Sequence, residues 1–120
     1  MEGFASLEKS FHDIRDCIYH GESHICTSGL TLCEVLVPAF RSDNTELQIK
    51  YREFIEESGA FELISTTREI YIRASLLRAQ LGLKTPDAIH VSSAIESGCT
   101  VFLTNDKPLK GLKDMKIVHI

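Results

Sequence analysis

The stretch TPDAIHVSSAIESGCTVFLTND, residues 85–106, holds the two kinds of element that decide the fold. Its first part predicts a helix over residues 85–97, with Thr85 as the N-cap and Pro86 at the first helical position. A glycine follows as the stop signal, and residues 100–104, an apolar Val-Phe-Leu run between two threonines, are typical of a short buried strand. A helix that leads directly into a strand is the repeating unit of α/β proteins.

The same two kinds of element alternate along the rest of the chain. Apolar spacing predicts helices over residues 4–19, 30–39 and 45–58, and strands over residues 23–27, 61–65 and 116–120. A further helix is predicted from the capping box of Thr66 and Glu69 to the glycine at position 82. We therefore expect one domain, residues 1–120, of the α/β class, with a doubly wound, mostly parallel sheet and helices on both faces.

Length and composition narrow the class of protein. A chain of 120 residues with 43% hydrophobic and 25% charged residues has ordinary globular composition and can form a single core. It has no apolar run of the roughly 20 residues that cross a bilayer and no signal-peptide pattern, so we expect a soluble, cytoplasmic protein with no membrane partner. The net charge of −4 argues against binding nucleic acid by bulk attraction alone.

The cysteines and histidines of the first third of the chain leave one alternative open. The four cysteines never form a Cys-x-x-Cys pair, and without an export signal they are expected to be reduced packing residues. A zinc site would need Cys17, His20, His24 and Cys26 to converge. Their spacing matches no common zinc pattern, and a glycine interrupts the helix that would align the two histidines.

Three carboxylates occupy positions that suggest a metal site. Glu34 lies inside an apolar run, Asp87 opens the helix after Pro86, and Asp106 follows the strand that ends at Thr104. A buried carboxylate is costly unless a cation keeps it ionised, and ligands of parallel sheets bind beyond the carboxyl ends of the strands. Hard oxygen ligands select Mg or Mn, so the three acids predict phosphoryl chemistry at one edge of the sheet.

Each of these acids also has an ordinary structural explanation. Glu34 could reach solvent at the helix edge, Asp87 could satisfy the helix dipole, and Asp106 could close a turn. Three further residues lie close to the acids in the sequence. Ser28 and Thr104 could orient a ligand or a water, or serve as cap and turn residues. His90, three residues after Asp87 on the same helix face, could carry a proton, touch RNA, or pack in the core.

The segments LTLCEVL (residues 30–36), TPDAIH (85–90) and VFLTND (101–106) resemble, in this order, three acidic motifs of the PIN domain. The likeness is strongest to the toxin ribonucleases of bacterial and archaeal toxin-antitoxin pairs, the VapC-like group. This resemblance implies a five-stranded parallel sheet, Mg or Mn bound by Glu34, Asp87 and Asp106, and hydrolysis of single-stranded RNA. It also implies an antitoxin partner and a homodimer.

The sequence departs from this family at its start. PIN domains begin with an apolar strand that carries an Asp and lies in the middle of the sheet, whereas residues 1–3 lead straight into the first helix. Loss of that strand is expected to leave unpaired backbone groups on both neighbouring strands. The start could lie upstream, a second chain could fill the position, or the protein could be a truncated relative. Asp13 and Asp16 could lend a carboxylate, but they fit the polar face of the first helix.

The sequence therefore supports two functions. The first is a metal-dependent endoribonuclease of the toxin-antitoxin type, in which Glu34, Asp87 and Asp106 are the catalytic metal ligands. The alternative is a non-catalytic PIN-like module that binds a protein partner or RNA.

Overall fold

A computed structural model describes residues 24–57, 59, 61–104 and 115–119, together with Lys9, His12, Asp13 and Asp16. These residues form one sheet of four strands: β1 (Ile25–Ser28), β2 (Glu62–Ile64), β3 (Val101–Thr104) and β4 (Lys116–His119). The strand order is β2-β1-β3-β4 and every neighbouring pair is parallel. Every parallel neighbour needs a crossover connection, and the α/β alternation of the sequence supplies it.

The connections from β1 to β2 and from β2 to β3 contain helices. They are α1 (Gly29–Arg41), α2 (Thr45–Arg52) with a π-helical turn at Glu53–Glu57, α3 (Arg68–Leu81) and α4 (Thr85–Ser97). The predicted α/β class with a doubly wound parallel sheet is thereby confirmed. The predicted helix over residues 4–19 lies mostly outside the described residues, although its four described positions are helical. None of the helices in the described part of the chain is long and apolar enough to span a membrane.

Strands β1 and β3 pair directly with each other. Their register places Ile25 opposite Val101, Cys26 opposite Phe102 and Thr27 opposite Leu103. The five-stranded sheet implied by the family resemblance is therefore replaced, in the described residues, by a four-stranded sheet. These two strands lie in the middle of the described sheet, and each satisfies the backbone groups of the other along this edge.

A separate apolar cluster lies on each face of the sheet. Alternate residues of a strand point to opposite faces, so Ile25 and Leu103 face one way while Cys26 and Phe102 face the other. The first face packs against α1, α2 and the π-helical turn, which contribute Val35, Ala39, Leu47, Tyr51, Phe54 and Ile55. The second face packs against Ala94 of α4. Helices therefore lie on both faces of the sheet, as predicted, and the central strands β1 and β3 are fully buried.

Two helix starts differ from their predictions by one residue. The N-cap of α3 is Thr67, whose hydroxyl accepts from the N–H of Ile70 at 3.3 Å, so the predicted cap at Thr66 was wrong. The N-cap of α4 is Lys84, without a side-chain cap hydrogen bond, and Thr85 is already helical. Two adjacent threonines, Thr66 and Thr67, precede α3. The local sequence does not indicate which of their hydroxyls caps the helix.

The cysteine prediction was half right. Cys26 and Cys99 are buried, as expected for packing residues, but their sulfur atoms form a disulfide. The fold brings two residues 73 positions apart to a Cα–Cα distance of 6.2 Å, which is within the range that a disulfide bridges. A spacing rule based on Cys-x-x-Cys cannot detect such a long-range pair.

Candidate metal centre

Glu34 is placed by a helix whose start is tightly defined. The hydroxyl of Ser28 accepts a hydrogen bond from the N–H of Leu30 at 3.1 Å and so caps α1 at the carboxyl end of β1. Gly29 allows the close approach of α1 to β2, since a Cβ there would lie 3.2 Å from the carbonyl oxygen of Ile64. The cap assigns Ser28 a structural role at the carboxyl edge of the sheet.

The Glu34 side chain meets His90 of α4. Nε2 of His90 donates a hydrogen bond to Oε1 of Glu34, since a carboxylate oxygen can only accept. The Glu34 side chain remains 27% exposed, whereas the His90 side chain is completely buried. The carboxylate is thus held from the interior and still reaches solvent.

The contact between these two residues lies at the end of the sheet. Helix α1 packs on one face of the sheet and α4 packs on the other. Because β1 and β3 are paired without a gap, side chains from the two helices can meet only where the strands end. Glu34 follows soon after the carboxyl end of β1, so this is the edge where α/β proteins bind their ligands.

Asp87 lies at the same end of the molecule. Helix α4 leads at its carboxyl end into the amino end of β3, so its first turn lies toward the carboxyl edge of the sheet. Asp87 is in that first turn, where free N–H groups and the helix dipole favour its negative charge. It is half-buried and precedes His90 by one helical turn, on the same side of α4.

The third predicted acid, Asp106, lies outside the described residues. The structure does place Thr104, two residues earlier, at the buried carboxyl end of β3. Among the residues that the structure describes, no group of three His, Cys, Asp or Glu side chains could hold a metal ion. The described donors are the carboxylates of Glu34 and Asp87, and such hard oxygen ligands fit Mg or Mn better than zinc.

A buried hydroxyl pair beneath this edge was not anticipated from the sequence. Oγ1 of Thr27 lies 2.6 Å from the carbonyl oxygen of Leu103 and 2.9 Å from Oγ1 of Thr31. Because a hydroxyl has one proton and a carbonyl only accepts, Thr27 donates to Leu103 and accepts from Thr31. Threonine is a common strand residue, so the sequence carried no signal for this role.

The two described residues of the zinc alternative, His24 and Cys26, do not support it. His24 lies 3.2 Å from a carboxylate oxygen of Glu62, and Cys26 is bonded to Cys99. Cys17 and His20 lie outside the described residues. A disulfide sulfur is not a thiolate, so Cys26 cannot serve as a zinc ligand in this form.

A family model described as the PIN domain matches residues 4–114 of the chain. Among solved structures, the chain is similar to one in a toxin-antitoxin complex from Klebsiella pneumoniae, with a TM-score of 0.59 and 22% sequence identity. The similarity covers 88% of this chain and 91% of that chain, and at this identity it shows a shared fold. No curated protein matches the chain.

Proposed function

Because this chain belongs to the PIN domain family, we propose that it is a metal-dependent endoribonuclease of the toxin-antitoxin type, located in the cytoplasm. Glu34, Asp87 and Asp106 are the proposed catalytic residues and the ligands of Mg or Mn. The observation that carries the proposal is the Glu34–His90 contact, because it holds one carboxylate at the edge of the sheet through a histidine that lies one helical turn from Asp87.

The proposed chemistry needs acids and a cation together. When bound, a divalent ion would polarise a phosphate oxygen and lower the pKa of a water. The chain's own residues concentrate negative charge and hold it in place. Glu34 is anchored by a buried side chain, and Asp87 is stabilised by the first turn of α4. The two described acids thus come from α1 and α4 at the carboxyl edge of the sheet, and carboxylate oxygens are the ligands that a hard cation binds.

A protein partner is part of the same proposal. The fold is shared with a chain of a toxin-antitoxin complex, which supports an antitoxin as the partner of this protein. We also infer a homodimer, because α3 leaves several large apolar side chains exposed: Tyr71, Ile72, Leu76 and Leu81. Leu81 lies in the last turn of this helix and is 51% exposed, so the apolar surface extends to the end of α3.

The direct test is cleavage of RNA by the purified protein. Single-stranded RNA should be cut in the presence of Mg or Mn, and a chelator should abolish cutting. Glu34→Gln, Asp87→Asn and Asp106→Asn should each lower the rate by at least about 100-fold, as expected when a metal ligand is lost. Glu57→Gln serves as the matched control, because Glu57 is exposed and lies in the π-helical turn, so its rate should be unchanged.

One observation favours a second function, a non-catalytic PIN-like module that binds RNA or a protein. Strands β1 and β3 pair directly, so there is no position between them for a further strand that would carry another acid. A folded protein that binds RNA or an antitoxin, but cuts no RNA with either ion, would favour this module over the nuclease.

A further inference from the structure

The hydrogen bond from His90 makes the two oxygens of the Glu34 carboxylate different from each other. Oε1 accepts from Nε2 of His90, and His90 is the only hydrogen-bond partner of Glu34 in the described part of the chain. An oxygen that already accepts from a buried N–H is a poorer ligand for a cation than its unengaged neighbour. The contact therefore leaves Oε2 as the oxygen that can bind.

The donor is held rigidly. His90 is completely buried, and its ring lies edge-on to that of Phe102, with the centroids 6.2 Å apart. Phe102 is itself fully buried in the middle of β3. A buried imidazole in such a setting cannot exchange its partner for water, so it restricts the orientation of the Glu34 carboxylate.

A packing role alone does not explain a histidine at this position. Nδ1 of His90 is buried and has no hydrogen-bond partner among the described residues. An unpaired buried nitrogen destabilises a fold, and an apolar side chain of similar volume would avoid that cost. Among the described residues, the contact of Nε2 with Glu34 is therefore what a histidine supplies here and an apolar side chain would not.

The position of His90 on α4 also relates Glu34 to Asp87. Three residues along a helix correspond to a rise of about 4.5 Å, so the donor to Glu34 and Asp87 stand one turn apart on a single rigid element. The contact with His90 therefore restrains the Glu34 side chain relative to the helix that carries Asp87. Helix α4 thus links two acids that are 53 positions apart in the sequence, since it carries Asp87 and the hydrogen-bond partner of Glu34.

We propose that His90 is a positioning residue: it holds Oε1 of Glu34 so that Oε2 alone binds a divalent cation shared with Asp87. This inference rests on the proposed function, because it assumes that Glu34 is a ligand. His90 itself does not touch the cation. It acts on affinity by restraining a ligand, as outer hydrogen-bond partners of metal sites commonly do.

The test is Mn²⁺ affinity, measured from the electron paramagnetic resonance signal of the free ion, for the wild type and three variants. His90→Gln keeps an N–H near the position of Nε2. The side chain of His90→Asn is too short for its amide to reach Glu34, and His90→Leu has no hydrogen-bond donor. Affinity should fall about 10- to 100-fold in His90→Asn and His90→Leu and stay within a few fold of wild type in His90→Gln. Melting temperatures without metal identify which variants are folded.

The outcomes separate the two proposals. A wild type that binds no Mn²⁺ overturns both the proposed function and the positioning role. A wild type that binds Mn²⁺ and cuts RNA, with unchanged affinity in His90→Asn, overturns the positioning role alone. An affinity in His90→Gln as low as in folded His90→Asn would also overturn it, because rescue by a donor is what distinguishes positioning from packing. The polar Gln and Asn pair decides the question even if His90→Leu does not fold.

Discussion

The hydroxyl of Thr27 in β1 donates a 2.6 Å hydrogen bond to the carbonyl oxygen of Leu103 in β3. These two residues are also opposite each other in the parallel register of the two strands. A side-chain bond thus reinforces the main-chain pairing at the centre of the sheet, close to the edge that carries Glu34. The hydroxyl is fully buried, so it has no competing water.

Replacement of Thr27 by Val should therefore destabilise the protein. The substitution keeps the shape of the side chain but removes the donor to Leu103 and the acceptor for Thr31. Loss of one partner from a buried hydrogen bond costs about 1–3 kcal/mol in the free energy of unfolding. Urea denaturation of the wild type and Thr27→Val measures this difference.

The companion substitution Thr31→Val and the double variant complete a mutant cycle. Because the two hydroxyls share one hydrogen bond, the double variant should lose less stability than the sum of the two single losses. Full additivity, or a Thr27→Val protein as stable as the wild type, would show that this pair does not hold the strands together.

A second prediction concerns Gly98, which ends α4 and turns the chain toward β3. Gly98 has a φ of 66°, in the left-handed region that residues with a Cβ rarely adopt. Gly98→Ala should cost about 1 kcal/mol in the free energy of unfolding, and Gly98→Asn should cost less, because asparagine tolerates this conformation. Equal stability of Gly98→Ala and wild type in urea denaturation would contradict the assigned backbone conformation.

A third prediction concerns alkaline pH and Tyr51. Burial of its phenol against the first face of the sheet raises the pKa of Tyr51 above its ordinary value of 10.0. The folded state then keeps its proton to higher pH than the unfolded state. The corresponding stability is present below about pH 10 and is lost as pH rises further.

The comparison protein for this prediction is Tyr51→Phe, which cannot lose a proton. From about pH 9 to about pH 11, the free energy of unfolding of the wild type should fall more steeply than that of Tyr51→Phe. Parallel curves for the two proteins would mean that Tyr51 titrates at its ordinary pKa and that its burial has no effect on the charged form.

The elements of this fold were accessible from the sequence because they depend on local patterns. Gly98 as a stop signal and the apolar residues 101–104 were enough to predict the end of α4 and the strand β3. The pairing of β1 with β3 was not accessible, since local patterns carry no information on which strand lies beside which. The same limit explains the disulfide between Cys26 and Cys99, whose partners are distant in the sequence.

The candidate site likewise has features that local sequence reveals and features that only the fold reveals. An acid within an apolar run, as at Glu34, is a local anomaly that the sequence reveals directly. The hydrogen bond from His90 joins residues 56 positions apart, and only the packed fold brings them together. That Glu34, Asp87 and Asp106 act as one set of ligands stays a prediction.

The central claim is that carboxylates from three separate parts of the chain bind one divalent site. Calorimetric titration with Mn²⁺ of the wild type, Glu34→Gln, Asp87→Asn, Asp106→Asn and the exposed control Glu57→Gln tests it most directly. We expect the wild type and the control to bind alike, and each of the other three variants to lose at least about 10-fold in affinity. A wild type that binds no Mn²⁺, or three variants that bind as tightly as the control, would contradict the claim.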